Sequence, residues 1–238
     1  MAQVFQKGKY ILWSLKMCFS ALSSFTASAL LVTSGVYCTK KVIEKNNHQY
    51  LPMAMIPLLF GLQQALEGMV WLSLDANDRV LVNYYALGFL FFSHFLWPFQ
   101  MAIAALKLET RKVFQRLFLG FAIVGLLYGS FLYFPLLINS DWLLVSIFRG
   151  SIDYQIKVIT YQPWGPWLYM VLCLMPLILS ENRKLRGLGW LILGALFLTK
   201  LIVYYAFISV WCFFAAIIST YVISELLPQK AQENLASL

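Results

Sequence analysis

Gln63, Gln64, Glu67 and Trp71 sit inside a long apolar stretch, spaced so that a helix would gather them on one side. Positions i, i+4 and i+8 share a helix face, so Gln63, Glu67 and Trp71 line up, with Gln64 just off the line. A charge near the middle of a membrane span costs at least ~2.5–3.5 kcal/mol on insertion scales, and such residues mark ion, proton or ligand sites. The competing reading is a polar contact that ties helices together. Glu67 is taken as an interior functional carboxylate. For Gln63 and Gln64 the two readings stand level.

His94 lies in a second apolar run, with Trp97 at i+3 and Met101 at i+7 on the same face and Gln100 close by. An imidazole in that setting serves as a proton carrier, a metal or haem ligand, or a polar core residue. The only other histidine is His48, and no His-x-x-His or Glu-x-x-His pair exists, so no metal site and no cofactor is assigned. Lys200 is the one charge deep in the apolar run 188–227, where Glu225 stands close to the far end. It either pairs with Glu67, which the assigned topology puts at a similar depth, or extends to the headgroups. Trp71, Trp97 and Trp211 are the candidate apolar walls of a site. Cys18, Cys38, Cys173 and Cys212 read as small hydrophobes, with a Cys18–Cys212 redox pair as the lesser alternative. Ser20, Ser24 and Ser28 form a small-residue ridge suited to close helix packing.

The elements that must hold these residues are helices in lipid. The chain is 61% hydrophobic and only 12% charged, a composition outside the range of soluble domains. Inside a bilayer every backbone polar group has to be paired internally, which long apolar runs achieve as helices. The run 188–227 is about twice the ~20 residues one span needs, so it must fold back on itself. The pattern predicts an all-α, polytopic transmembrane bundle of seven helices, near 17–37, 52–74, 80–106, 114–137, 164–179, 188–205 and 208–227. Residues 1–16 read as an N-terminal extension and 228–238 as a cytoplasmic tail. The connection 139–162, rich in apolar residues from Trp142 to Phe148, reads as a segment in the membrane interface, either a lid or a surface anchor.

The net charge of +8 does not signal nucleic acid, because the basic residues fall in short clusters between spans. Lys40, Lys41 and Lys45, then Lys107, Arg111, Lys112 and Arg116, then Arg183, Lys184 and Arg186, with Lys230, all fall on one side. The positive-inside rule makes that side cytoplasmic and the N-terminus external. Lys7, Lys9 and Lys16 in the N-terminal tail dissent.

Several motifs resemble an uncharacterised family of bacterial multi-pass membrane proteins. They are Met17-Cys18-Phe19-Ser20-Ala21 with Ser24-Phe25, matching an MCFSA-x-ASF start, and Pro57 to Gln64 with Glu67-Gly68 and Trp71. Trp97-Pro98 and the segment Ser209-Val210-Trp211-Cys212-Phe213-Phe214-Ala215-Ala216 with Ser219 complete the set. The resemblance implies a fold and a usual start at Met17, but no reaction. Gln100 and Lys200 lie outside its motifs. Trp97-Pro98-Phe99 also faintly echoes Trp211-Cys212-Phe213, which would fit a parallel repeat.

The functional expectation is a membrane protein that binds a small molecule or ion within its bundle, as a transporter. Its partners are the lipid bilayer and that ligand. The alternatives are an intramembrane enzyme acting on a lipid-soluble substrate, and a membrane sensor or assembly factor.

Overall fold

The computed structural model describes residues 20–148, 150–156, 164–202 and 218–226. Helices dominate. They are α1 (Ala21–Glu44), the single turn α2 (Leu51–Ala54), α3 (Ile56–Asp75), α4 (Arg79–Leu90), α5 (Trp97–Leu108), α6 (Lys112–Ile138), α7 (Gly165–Leu179) and α8 (Arg183–Ile202). Residues 218–226 are helical as well. Among the described residues, four runs are long and apolar enough to cross a membrane: Ala21–Glu44, His48–Asp75, Arg79–Leu108 and Lys112–Ile138. Gly165–Leu179 is a shorter apolar helix.

Local chemistry sets the helix ends. Ser20 is extended and caps α1, its Oγ accepting from the Ser23 N–H while the Ser23 hydroxyl accepts from the Ser20 N–H. Ser20 therefore belongs to the cap, and Ser24 and Ser28 alone continue into the buried ridge. Asp78 caps α4 through bonds from the Val80 and Leu81 N–H groups, and Asn182 does the same for α8 from Lys184 and Leu185. That cap starts α8 at Arg183, five residues before the apolar run itself begins at Leu188.

Packing is closest between α1 and α3. A Cβ on Gly35 would fall 2.3 Å from the Leu58 backbone nitrogen, so only glycine lets these two backbones meet. The outward side of α6 is apolar, with Leu127, Phe131 and Ile138 exposed, while Gln63, Gln64 and Glu67 of α3 are 3%, 2% and 2% exposed. Polar side chains point in and large apolar ones point out.

The connection after α6 is a β-hairpin, β1 (Leu143–Phe148) against β2 (Ser151–Ile156), turning at Gly150 with φ +85°. Leu143 pairs with Ile156 and Val145 with Tyr154. Its inward face packs on Trp71, Phe89 and Leu136, and the Tyr154 ring stacks on Phe89 with centroids 4.9 Å apart. This refines the interfacial-segment reading. Ile152, Tyr154 and Ile156 alternate with Ser151, Asp153 and Gln155, a strand period that the apolar run of β1 conceals.

At the opposite end, three basic turns converge. Asn182 Nδ2 donates to the Tyr50 hydroxyl at 3.3 Å, and the Thr110 hydroxyl donates to Glu181 at 2.8 Å. Glu109 is the hub. Its fully buried carboxylate accepts from Arg111 Nε at 2.8 Å and Nη2 at 2.9 Å, and from the Glu181 backbone N–H at 3.1 Å. Arg111 also donates to the Leu179 carbonyl, and its guanidinium lies over the Phe114 ring. The Arg111 hydrogen bond outweighs burial and, with the backbone N–H groups of Glu181 and Arg111, holds the Glu109 carboxyl down at about 2, against an ordinary 4.5. A depressed carboxyl stabilises the fold above its unfolded value and loses that contribution as pH falls from 4.5 toward 2. Glu109→Gln should therefore lower stability at pH 7 by about 1.5–3 kcal/mol, the range for hydrogen bonds to a charged group. Melting curves in detergent should also show a flatter acid limb for the variant, and an unchanged limb would remove Glu109 as the acid-sensitive hub.

Candidate functional site

The site is a cavity of about 400 Å³ between α3, α4, α5, α6, α7 and α8. His94, on its wall, stands at the middle of the helical run Arg79–Leu108. Phe60 and Gln63 enter from α3, Trp97 and Met101 from α5, and Tyr128 and Leu132 from α6. Tyr169 and Cys173 enter from α7 and Ile192 from α8. The predicted face His94, Trp97, Met101 thus comes together on one wall.

That wall is built by an interruption in the helix. Phe91–Leu96 is a π-helix, in which the Trp97 N–H reaches back five residues to the Phe92 carbonyl. In the same register the next bond would run from residue 98 to the Ser93 carbonyl. Residue 98 is proline and has no N–H. The Tyr169 hydroxyl supplies the missing donor, reaching the Ser93 carbonyl at 2.5 Å. The α6 helix follows the bulge closely: Cβ atoms on Gly125 and Gly129 would lie 2.4 Å from the Pro98 oxygen and 2.7 Å from the Phe95 oxygen.

The polar groups around the cavity are held in definite states. Trp97 Nε1 donates to Gln63 Oε1 at 2.8 Å, which fixes the amide orientation because indole is only a donor. The Gln63 amide nitrogen has no hydrogen-bond partner among the described residues. His94 Nδ1 is 2.8 Å from the Ser93 hydroxyl. The Trp97 ring stacks on Phe60 at 4.2 Å, and the Tyr128 hydroxyl donates to the Gly165 carbonyl at 2.9 Å, pinning the start of α7.

The other predicted residues sit elsewhere. Gln64 Nε2 donates to Glu67 Oε2 at 3.1 Å, and both are buried away from the cavity wall. Trp71 packs under the hairpin. Gln100 donates to the Pro52 carbonyl at 3.0 Å, tying α5 to the break between α2 and α3. The backbone of Lys200 lies in α8, but its side chain is outside the described residues, as are Trp211, Cys18 and Cys212. The Glu67–Lys200 pair, the Cys18–Cys212 pair and the second half of the repeat therefore fall outside what is described. Tyr128, Tyr169, Ser93 and Cys173 were not anticipated. Pro98 was the available signal, since its missing N–H requires a donor nearby.

The chain belongs to a family of unknown function (DUF6629). The match covers residues 17–236, so nearly everything described above is family domain. No curated protein and no solved structure matches the chain. The resemblance to an uncharacterised family therefore holds.

Tyr169→Phe should cost about 1–3 kcal/mol, the penalty for leaving the buried Ser93 carbonyl without a donor. Pro98→Ala restores an N–H at that position, so Tyr169→Phe should cost much less in the Pro98→Ala background. Equal losses in both backgrounds, by thermal unfolding, would show that the hydroxyl does not replace the proline donor.

Proposed function

We propose that the chain is a seven-span membrane protein that binds a small molecule in the mid-membrane cavity and carries it across the bilayer. The observation that carries this reading is the cavity itself: a mostly apolar chamber with Gln63 and His94 among the polar groups on its wall. Ligand sites commonly take this form, an apolar enclosure with a few placed polar groups. The apolar outward face of α6 and the inward polar residues support a lipid setting.

The cavity favours a molecule over an ion. Among the described residues, no Asp, Glu, Lys or Arg lines it. Transport is supported by the interrupted helix that forms one wall. Discontinuous helices at the midplane are where many transporters hold and release substrate. The π-segment and Pro98 supply such a break beside His94.

The orientation places the hairpin outside and the basic turns in the cytoplasm. Its support is that Lys45, Arg111 and Lys184 stand by the converging turns at a single end of the molecule. Reporter fusions after Lys45, Lys112 and Arg186 should read as cytoplasmic, and a fusion after Asp153 as external. The reverse pattern would overturn the orientation.

Occupancy is tested by filling the chamber. Cys173→Trp places an indole into the cavity from α7. Native mass spectrometry of the purified full chain should show a small molecule retained by the wild type and lost from a folded Cys173→Trp protein. Retention by both would locate the ligand elsewhere.

A further inference from the structure

We infer that the ligand of this cavity is an uncharged, lipophilic carbonyl compound, of the ketone or quinone class, gripped by N–H groups of Gln63 and His94. The inference rests on the cavity being the binding site, as proposed above. Its basis is an imbalance between donors and acceptors. Three carbonyl oxygens beside the chamber are already used: Gln63 Oε1 by Trp97, the Ser93 carbonyl by Tyr169, and the Gly165 carbonyl by Tyr128. The donors are not. The amide nitrogen of Gln63, a residue 3% exposed and on the cavity wall, keeps both hydrogens without a partner among the described residues.

His94 supplies the second donor. The Ser93 hydroxyl has His94 Nδ1 as its hydrogen-bond partner at 2.8 Å. If the hydroxyl accepted there, its own hydrogen would be left unused. Donating to Nδ1 satisfies both groups and assigns the ring proton to Nε2. That N–H has no protein acceptor among the described residues and lies in the cavity wall. Both donors face the cavity and, among the described residues, are free to be accepted from, so a ligand with acceptor oxygens is favoured over one without.

The rest of the wall narrows the class. Among the described wall residues, a cation would meet two donors and no carboxylate, and an anion would give up its hydration with no cationic side chain to replace it. The stacked Trp97–Phe60 pair offers a flat aromatic surface to a planar ring. A neutral, planar carbonyl compound fits all three conditions.

The test compares 1,4-naphthoquinone with naphthalene, which has the same ring shape and no oxygen. Binding to the full chain in lipid nanodiscs is read by quenching of tryptophan fluorescence, with empty nanodiscs subtracted. Naphthoquinone should bind saturably and at least about tenfold more tightly than naphthalene, a hydrogen bond's worth of discrimination. Gln63→Met and His94→Phe should each weaken naphthoquinone about tenfold and leave naphthalene unchanged. Equal affinity for the two probes in the wild type, which needs no variant, would overturn the carbonyl inference and leave the cavity reading standing. No saturable binding of either probe that Cys173→Trp removes would overturn the cavity reading and the inference with it.

Discussion

Everything around the site follows from one missing hydrogen. A backbone carbonyl buried in an apolar bundle has no water to turn to, so each must find a protein donor. Pro98 takes one donor away from the run Arg79–Leu108, and the chain answers in two ways. It widens into a π-turn over Phe91–Leu96, and it recruits the Tyr169 hydroxyl from another helix. The first response turns Ser93, His94 and Trp97 toward the interior. The second fixes where α7 must stand, so the cavity is a by-product of satisfying the backbone.

Close contact on one side permits open space on the other. Gly125 and Gly129 let α6 press against the bulge, and Gly35 brings α1 onto α3. Side chains are absent at these contacts, so the larger groups of α5, α6 and α7 are directed to the far side. There they enclose a chamber rather than fill it. Tyr128 and Tyr169 each spend a hydroxyl on a carbonyl at the rim, which adds rigidity where a packed core would otherwise supply it.

Much of the helical plan was legible because periodicity and composition survive in any single sequence. The shared face of His94, Trp97 and Met101 was legible for the same reason, and so was the burial of Gln63 and Glu67. The π-segment was not, since Phe91 to Leu96 is as apolar as an ordinary helix and only Pro98 hints at a fault. Tyr128 and Tyr169 meet across elements joined by a long connection, and nothing in their local spacing announces it. Glu109 was hidden among Lys107, Arg111 and Lys112, where a lone carboxylate reads as a diluted basic turn. The hairpin escaped because Leu143 to Phe148 is apolar except for Ser146 and shows no alternation, while the period that reveals it lies in β2.

The polar stripe of α3 divides between two tasks, and since Gln63 and Glu67 lie only about 40° apart around the helix, it is hydrogen bonding rather than helix phase that separates them. Neighbouring residues on a helix point about 100° apart, so Gln63 and Gln64 cannot face the same partner. Gln63 turns toward Trp97 and the cavity, while Gln64 turns with Glu67, with which it shares a hydrogen bond. A carboxylate on the chamber wall would have to be neutralised or solvated there, which an apolar enclosure of this size does poorly. With Glu67 engaged by Gln64 instead, the described wall carries the Gln63 amide and no carboxylate. The pairing of Gln64 with Glu67 thus holds this carboxylate off the described cavity wall, where the Gln63 amide and the His94 ring remain among the polar groups.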